Sequence, residues 1–203
     1  MKYKSRLIYL ISPNKLYDNF LIDLRSILAT KKVKYFQLRL KKYKKGKILN
    51  ISKKIKKICR NFNVKFIIND DPIIAKKVGA DGCHLGQGDM SINNARRILK
   101  NKIIGVTCNN SIIKAREAVK NKADYIALGA FNSSKTKKVK FKAKISDLKK
   151  FRKITNKPIV VIGGIGKNNY KKLLLNKADF LAISNFIWKN KKLKPAEATK
   201  SII

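Results

Sequence analysis

The chain is poor in acid. Its 203 residues include only eleven Asp and Glu against fifty Lys and Arg, a formal charge of +39. It has a single histidine, His84, so a cluster of histidine ligands around zinc is excluded. Its three cysteines, Cys59, Cys83 and Cys108, are odd in number and widely spaced. They match neither zinc-ligand spacing nor a disulfide framework, and a reducing cytoplasm is expected. No apolar run approaches the roughly 18 residues that would cross a bilayer, so no membrane partner is expected. The opening Met1-Lys2-Tyr3-Lys4-Ser5-Arg6 followed by Leu7–Ile11 imitates a secretion signal. Its apolar stretch is too short and runs into Pro13, which reads as a first strand instead.

The excess charge invites a nucleic-acid reading. The lysines, however, are spread along the whole chain and come with abundant Asn and Ile, as in genes rich in A and T. Clusters such as Lys53-Lys54-Ile55-Lys56-Lys57 read as solvated helix faces. No specific nucleic-acid partner is expected, only salt-sensitive attraction to polyanions.

One pattern repeats throughout. A short β-branched or aromatic run is followed by a polar loop and then an amphipathic stretch. The runs are Leu7–Ile11, Val33–Leu38, Val64–Ile68, Gly82–Leu85, Ile103–Val106, Tyr125–Leu128, Pro158–Ile162 and Phe180–Ile183. Strand–helix alternation means a doubly wound sheet or a closed barrel, and eight strands favour the barrel. The expected fold is α/β, a single-domain (β/α)8 TIM barrel over residues 1–203, near the lower size limit for that fold. An internal echo, Gly79-Ala80-Asp81, Lys122-Ala123-Asp124 and Lys177-Ala178-Asp179, precedes three of the runs. These aspartates read as turn chemistry at the barrel bottom.

The working face of such a barrel lies at the C-terminal ends of its strands. Alternation sends Gln37, Arg39 and Lys41 toward that end after strand two. Asn69 and Asp70 follow strand three, and His84, Gln87 and Asp89 follow strand four. Thr107 follows strand five, Phe131–Lys137 strand six, Gly163-Gly164 strand seven and Ser184 strand eight. Carboxylates at neighbouring strand ends suit a divalent cation, and a cation among lysines suits a pyrophosphate. Gly163-Gly164 reads as a turn that opens a helix and turns N–H groups toward an anion. Asp71, before Pro72, reads as a helix N-cap, and His84 as a hydrogen-bonded structural residue.

Gln37-x-Arg39-x-Lys41, Asn69-Asp70, His84-Leu85-Gly86-Gln87-x-Asp89, Ser134-Lys135-Thr136-Lys137, Gly163-Gly164-Ile165 and Ile183-Ser184 stand in an order and spacing that resemble thiamine phosphate synthases. The resemblance covers essentially the whole chain. It implies the Mg²⁺-dependent joining of two small molecules, 4-amino-2-methyl-5-pyrimidinylmethyl pyrophosphate and a thiazole phosphate, to give thiamine phosphate and pyrophosphate. It implies that Asp70 and Asp89 hold the metal. Arg39, Lys41, Asn69, Thr107 and Lys137 would bind pyrophosphate, with Lys41, Lys137 and Thr107 assisting its departure, and Gln37 would bind the pyrimidine. Ser134, Thr136, Gly164, Ile183 and Ser184 would hold the thiazole phosphate. Family members often carry Ser where Thr107 stands and His near Asn109. They usually have Pro and Thr where Ser133 and Ser134 stand. The Phe131–Lys137 loop is the expected lid. The sister thiazole tautomerases share the barrel and a similar phosphate pocket but need no pyrophosphate–Mg²⁺ set. Two rival functions stand beside the tautomerase: a basic nucleic-acid-binding protein, and a protein that binds the thiamine precursors without turnover. The oligomeric state is not legible in the sequence.

Overall fold

The structure, a computed structural model, describes residues 6–132 and 142–202. Eight parallel strands pair in chain order and close on themselves: β1 (Ile8–Ile11), β2 (Val33–Leu38), β3 (Lys65–Asn69), β4 (Gly82–Leu85), β5 (Ile103–Asn109), β6 (Tyr125–Gly129), β7 (Ile159–Ile162) and β8 (Phe180–Ile183). β8 returns to pair with β1, with Tyr9 opposite Ala182. The helices between them are α1 (Phe20–Ala29), α2 (Lys45–Asn61), α3 (Pro72–Lys77), α4 (Ile92–Leu99), α5 (Ile112–Lys120), α6 (Ile145–Ile154) and α7 (Tyr170–Leu175). After β8 come α8 (Asn185–Trp188) and α9 (Pro195–Lys200). No helix among the described residues is long and apolar enough to cross a membrane.

The period-two pattern explains two separate cores. Ile8 and Leu10 point outward, and so do Phe36, Leu38, Phe66 and Ile68, to pack beneath the helices. Tyr9, Ile11, Tyr125, Ala127, Val160, Phe180 and Ala182 point inward and fill the barrel. Each large apolar side chain so buried contributes about 1.5–3 kcal/mol. The helices show the matching 3.6-residue stripe. In α2, Ser52, Ile55, Ile58 and Cys59 are buried, while Lys53, Lys54 and Lys57 face water.

Aromatic rings fill much of the inner core. Tyr35 stacks on Tyr9 and meets Phe180 edge-on. Tyr125 crosses to β5, where Gly105 is its register partner. A Cβ at Gly105 would lie 1.8 Å from the ring carbon Cζ of Tyr125, so only glycine leaves room for that ring.

The three echoed aspartates serve one repeated task at the lower rim. Asp81, Asp124 and Asp179 accept the backbone N–H of Phe66 (2.9 Å), Ile104 (2.8 Å) and Ile159 (2.8 Å). Each also pairs with a cation: Lys65 at 3.3 Å, Arg96 at 2.8 Å, and Arg152. Arg96 and Arg152 additionally cap backbone carbonyls of the flanking turns. The expected turn chemistry is therefore present, and it ties β3, β5 and β7 to the loops that feed β4, β6 and β8.

Several expectations are corrected. Asn69 is the last residue of β3 and His84 lies within β4, rather than after those strands. Thr107 lies within β5, not after it, because the strand runs on to Asn109 past a register shift between Thr107 and Asn109. Gly163-Gly164 opens no helix: α7 begins only at Tyr170, after an intervening turn.

Candidate active site

The upper ends of β2 to β5 converge on one cluster. Past β2, Arg39 is fixed from β1: its backbone N–H donates to Ser12 Oγ (2.9 Å) and its guanidinium to Asn14 Oδ1 (3.1 Å). Lys41 Nζ lies 2.9 Å from Asp70 Oδ2. Asp70 follows Asn69, the last residue of β3, with φ of 67°, a left-handed conformation that aspartate tolerates better than most residues. Its N–H donates to the carbonyl of His84 (2.8 Å), which anchors the turn to β4. Asp71 has the expected N-cap role, since Oδ1 accepts from the N–H of Ile74 at 2.9 Å at the start of α3.

Asp89 folds back over β4. Its Oδ2 accepts the N–H of Gly86 at 2.6 Å, and a Cβ at Gly86 would stand 2.9 Å from that same oxygen. The Asp70 and Asp89 carboxyls lie close enough for each to shift the other's titration. Burial and the neighbouring Asp70 raise the Asp89 pKa above the ordinary carboxylate value. Burial acts upward on Asp70 too, but the neighbouring Asp89 and the Lys41 ammonium outweigh it and leave Asp70 below that value. Asp89 therefore takes up a proton more readily than a free carboxylate, and Asp70 less readily.

This donor set fits Mg²⁺. No group of three or more His, Cys, Asp or Glu that could hold a metal occurs among the described residues. Mg²⁺ needs no such cage; it is commonly bound by one or two carboxylates, with water and substrate phosphates completing its shell. Because Asp89 holds its proton to a higher pH than a free carboxylate, cation binding should release that proton. Titration calorimetry with Mg²⁺ in buffers of different ionisation enthalpy should show proton release that grows as the pH is lowered toward the Asp89 titration, together with weaker binding. Binding without any proton release at acidic pH would contradict the raised Asp89 pKa.

Beneath the carboxylates lies a buried polar chain. His84 Nε2 is 2.8 Å from Thr107 Oγ1, and His84 Nδ1 is 2.8 Å from Tyr125 Oη. Tyr125 Oη is 2.6 Å from Tyr9 Oη, which accepts from Gln37 Nε2 at 3.1 Å. Burial drives the His84 pKa down to about 4, and the nearby Arg39 and Lys41 add to the effect against Asp70, so the ring is neutral at physiological pH. The structural role expected of His84 holds, with partners that sequence alone does not reveal. Gln87 Nε2 donates to the Thr107 carbonyl and ties the β4 loop to β5.

Across the mouth, Gly163 and Gly164 have φ of 102° and 57°. A Cβ at Gly163 would lie 2.3 Å from Cβ of Ala130, so the turn closes only with glycine. The Gly164 carbonyl accepts from Asn169 Nδ2 (2.8 Å), and Gly164 is exposed at the rim. Ser184 Oγ donates to the Ser12 carbonyl (3.2 Å), above the buried Ile183. Phe131 and Asn132 are anchored through their N–H groups to the carbonyls of Ile162 and Gly163. Ser134, Thr136 and Lys137, and with them most of the expected lid, lie outside the described residues. Tyr9, Ser12, Asn14 and Tyr125 join the site although no sequence motif marks them.

A model of the thiamine monophosphate synthase family matches residues 8–187. The thiamine-phosphate synthase of Pelagibacter ubique is 59% identical over 202 residues, covering 99% of this chain and 98% of that protein. The thiamine-phosphate synthase of Hyphomonas neptunium is 35% identical, covering 96% of this chain and 90% of that protein. Among solved structures, thiamine phosphate pyrophosphorylase from Pyrococcus furiosus superposes with a TM-score of 0.87 at 27% identity, covering 98% of this chain and 94% of that one. A 3-hexulose-6-phosphate synthase at 17% identity, with a TM-score of 0.71, shares the barrel.

Proposed function

Because this chain belongs to the thiamine monophosphate synthase family, a family of transferases in thiamine biosynthesis, we propose that it joins 4-amino-2-methyl-5-pyrimidinylmethyl pyrophosphate to thiazole phosphate with release of pyrophosphate. The observation that carries this reading is the Asp70–Asp89 pair, bridged to Lys41 at the barrel mouth where Arg39, Asn69 and Thr107 gather. Asp70 and Asp89 would hold Mg²⁺. Once bound, Mg²⁺ supplies positive charge beside the leaving pyrophosphate.

The chain's own groups do the rest. Lys41, Arg39 and Lys137 meet the negative charge that builds on pyrophosphate as the C–O bond breaks. Asn69 and the Thr107 hydroxyl donate hydrogen bonds to the same group. Gln37 fixes the pyrimidine edge from inside the barrel. The thiazole phosphate sits across the mouth on Gly164, Ile183 and Ser184; Ser134 and Thr136, its other expected ligands, lie outside the described residues. That position presents the thiazole nitrogen, already nucleophilic, to the benzylic-type carbon, so the protein needs no strong base. The neutral His84, hydrogen-bonded on both ring nitrogens, agrees with that. Cys59, Cys83 and Cys108 are buried free thiols, in keeping with a cytoplasmic location.

The test is direct. Purified protein is incubated with both substrates and Mg²⁺, and thiamine phosphate and free pyrophosphate are followed together. The two products should appear one to one and stop on chelation. Isomerisation of a thiazole phosphate without pyrophosphate release would assign the chain to the tautomerase reaction instead.

A further inference from the structure

We propose that Tyr9, Tyr125 and His84 are positioning residues: they form a one-way hydrogen-bond chain through the barrel that sets which atoms Gln37 and Thr107 present to the two ends of one substrate. This rests on the assignment of Gln37 to the pyrimidine and Thr107 to the pyrophosphate made above.

The direction follows from counting protons. Gln37 Nε2 donates to Tyr9 Oη. Tyr9 is 1% exposed, and its one hydroxyl proton has Tyr125 Oη, 2.6 Å away, as its remaining partner among the described residues. Tyr125 Oη accepts that proton and passes its own to His84 Nδ1 at 2.8 Å. A neutral imidazole that accepts at Nδ1 carries its proton on Nε2. Nε2–H therefore donates to Thr107 Oγ1 at 2.8 Å. The Thr107 hydroxyl, its oxygen already accepting, is left with its own proton to give.

Each end then matches its ligand. An anion at Thr107 requires a donor, and the chain delivers one. Gln37 gives one amide proton to Tyr9 and keeps a carbonyl oxygen and a second N–H. Its carbonyl takes no hydrogen bond from any described residue. A 4-aminopyrimidine edge offers a donor and an acceptor side by side, which calls for that same pair. Reversing the chain fails at both ends. Thr107 would spend its proton on His84, and Gln37 would turn its carbonyl to Tyr9 and show the pyrimidine only N–H groups. A buried chain of this kind reverses only as a unit, since one wrong member leaves a polar group unpaired.

Gly105 makes the arrangement possible, because it alone admits the Tyr125 ring that carries the central hydroxyl. The two ends are far apart in sequence: Gln37 is on β2 and Thr107 on β5. Pyrimidine selection and pyrophosphate binding are thereby coupled through the protein interior.

His84 is the only histidine, so its ring nitrogens can be read without ambiguity in tag-free, ¹⁵N-labelled protein. Long-range ¹H–¹⁵N correlation should show Nε2 protonated and Nδ1 unprotonated in the wild type. Tyr125→Phe removes the donor to Nδ1 while keeping the ring. It should let the Nδ1-protonated form appear and lower kcat/KM for the pyrimidine pyrophosphate about ten-fold, with the KM for thiazole phosphate unchanged. Tyr9→Phe frees the Gln37 amide and should erode discrimination between the 4-amino substrate and its 4-oxo analogue by about ten-fold. Protonation at Nδ1 in the wild type would overturn the proposal, as would a Tyr125→Phe protein with wild-type tautomer and kinetics. The tautomer measurement needs no turnover. A protein that makes no thiamine phosphate but shows the expected Nε2–H ring would refute the proposed function and leave the chain's direction standing.

Discussion

Asp89→Asn is expected to lower kcat/KM about a hundred- to a thousand-fold, equivalent to roughly 2.7–4 kcal/mol of lost transition-state stabilisation, with the fold unchanged. Asparagine has the same shape. Its carbonyl oxygen can still accept the Gly86 N–H that Asp89 takes at 2.6 Å, and its amide can still face Asp70. Only the second negative charge is lost, so the pair becomes a single carboxylate already claimed by Lys41 at 2.9 Å. The defect should be deepest at limiting Mg²⁺ and shrink as Mg²⁺ is raised. Activity like that of the wild type at limiting Mg²⁺ would remove Asp89 from the metal site. The control is the double change Lys53→Gln, Lys54→Gln on the exposed face of α2, which should leave kcat/KM near wild type. Lys41→Gln should not. Equal losses from all of these would point to a diffuse polyanion-binding surface.

The second large effect is on stability. Gly105→Ala should lower the melting temperature sharply, although it adds a single methyl. That methyl would lie 1.8 Å from Tyr125 Cζ and 2.2 and 2.3 Å from its neighbours on the ring. The ring cannot yield toward the barrel axis without striking Tyr9 and Tyr35, whose ring centroids lie 5.6 and 6.0 Å away. Overpacking of this kind costs about 1–3 kcal/mol. Displacing the hydroxyl from Tyr9 and His84 adds a comparable cost, about 1–3 kcal/mol for each polar group left unpaired. At this chain length each kcal/mol corresponds to roughly 2–4 °C of melting temperature. An unchanged melting temperature in a thermal scan would mean that the ring does not sit against β5 as described.

The outer half of this architecture is plain in the sequence. Eight apolar runs mark eight strands to within a residue or so at most ends, because buried parallel strands are nearly uniform in β-branched residues. The extension of β5 to Asn109 is not legible, since a bulge interrupts the apolar pattern at Thr107. The carboxylates proposed to hold Mg²⁺, Asp70 and Asp89, stand out because acid is scarce and both follow strands closely. Tyr9 and Tyr125 do not stand out. A tyrosine in a strand looks like any core aromatic until the register shows it pointing inward, and their contact spans 116 residues of sequence. Ser12 and Asn14 are inconspicuous for a related reason, as short polar residues after a strand ordinarily mark a turn. Here they hold Arg39 from the neighbouring strand. Gly163-Gly164 is conspicuous, but the helix expected there begins only at Tyr170. Glycines needed for a close approach to Ala130 read the same as glycines that start a helix.

The lower rim gives the barrel a grain. Asp81, Asp124 and Asp179 clip β3 to β4, β5 to β6 and β7 to β8, each through one backbone amide and one cation. The first pair has no such clip among the described residues: the residue before β2 is Lys32, and its carbonyl receives the Ile8 N–H at 3.1 Å as an ordinary backbone bond. At the lower rim three strand pairs are thus riveted by charge, and the fourth, β1 with β2, is joined there by a backbone bond. The unriveted pair carries Tyr9, Gln37, Arg39 and Lys41. Salt can loosen the rivets without reaching that pair, and a strain imposed on that pair has no rivet to stop it. The strand pair proposed to receive the pyrimidine is the one whose foot carries no ion pair among the described residues.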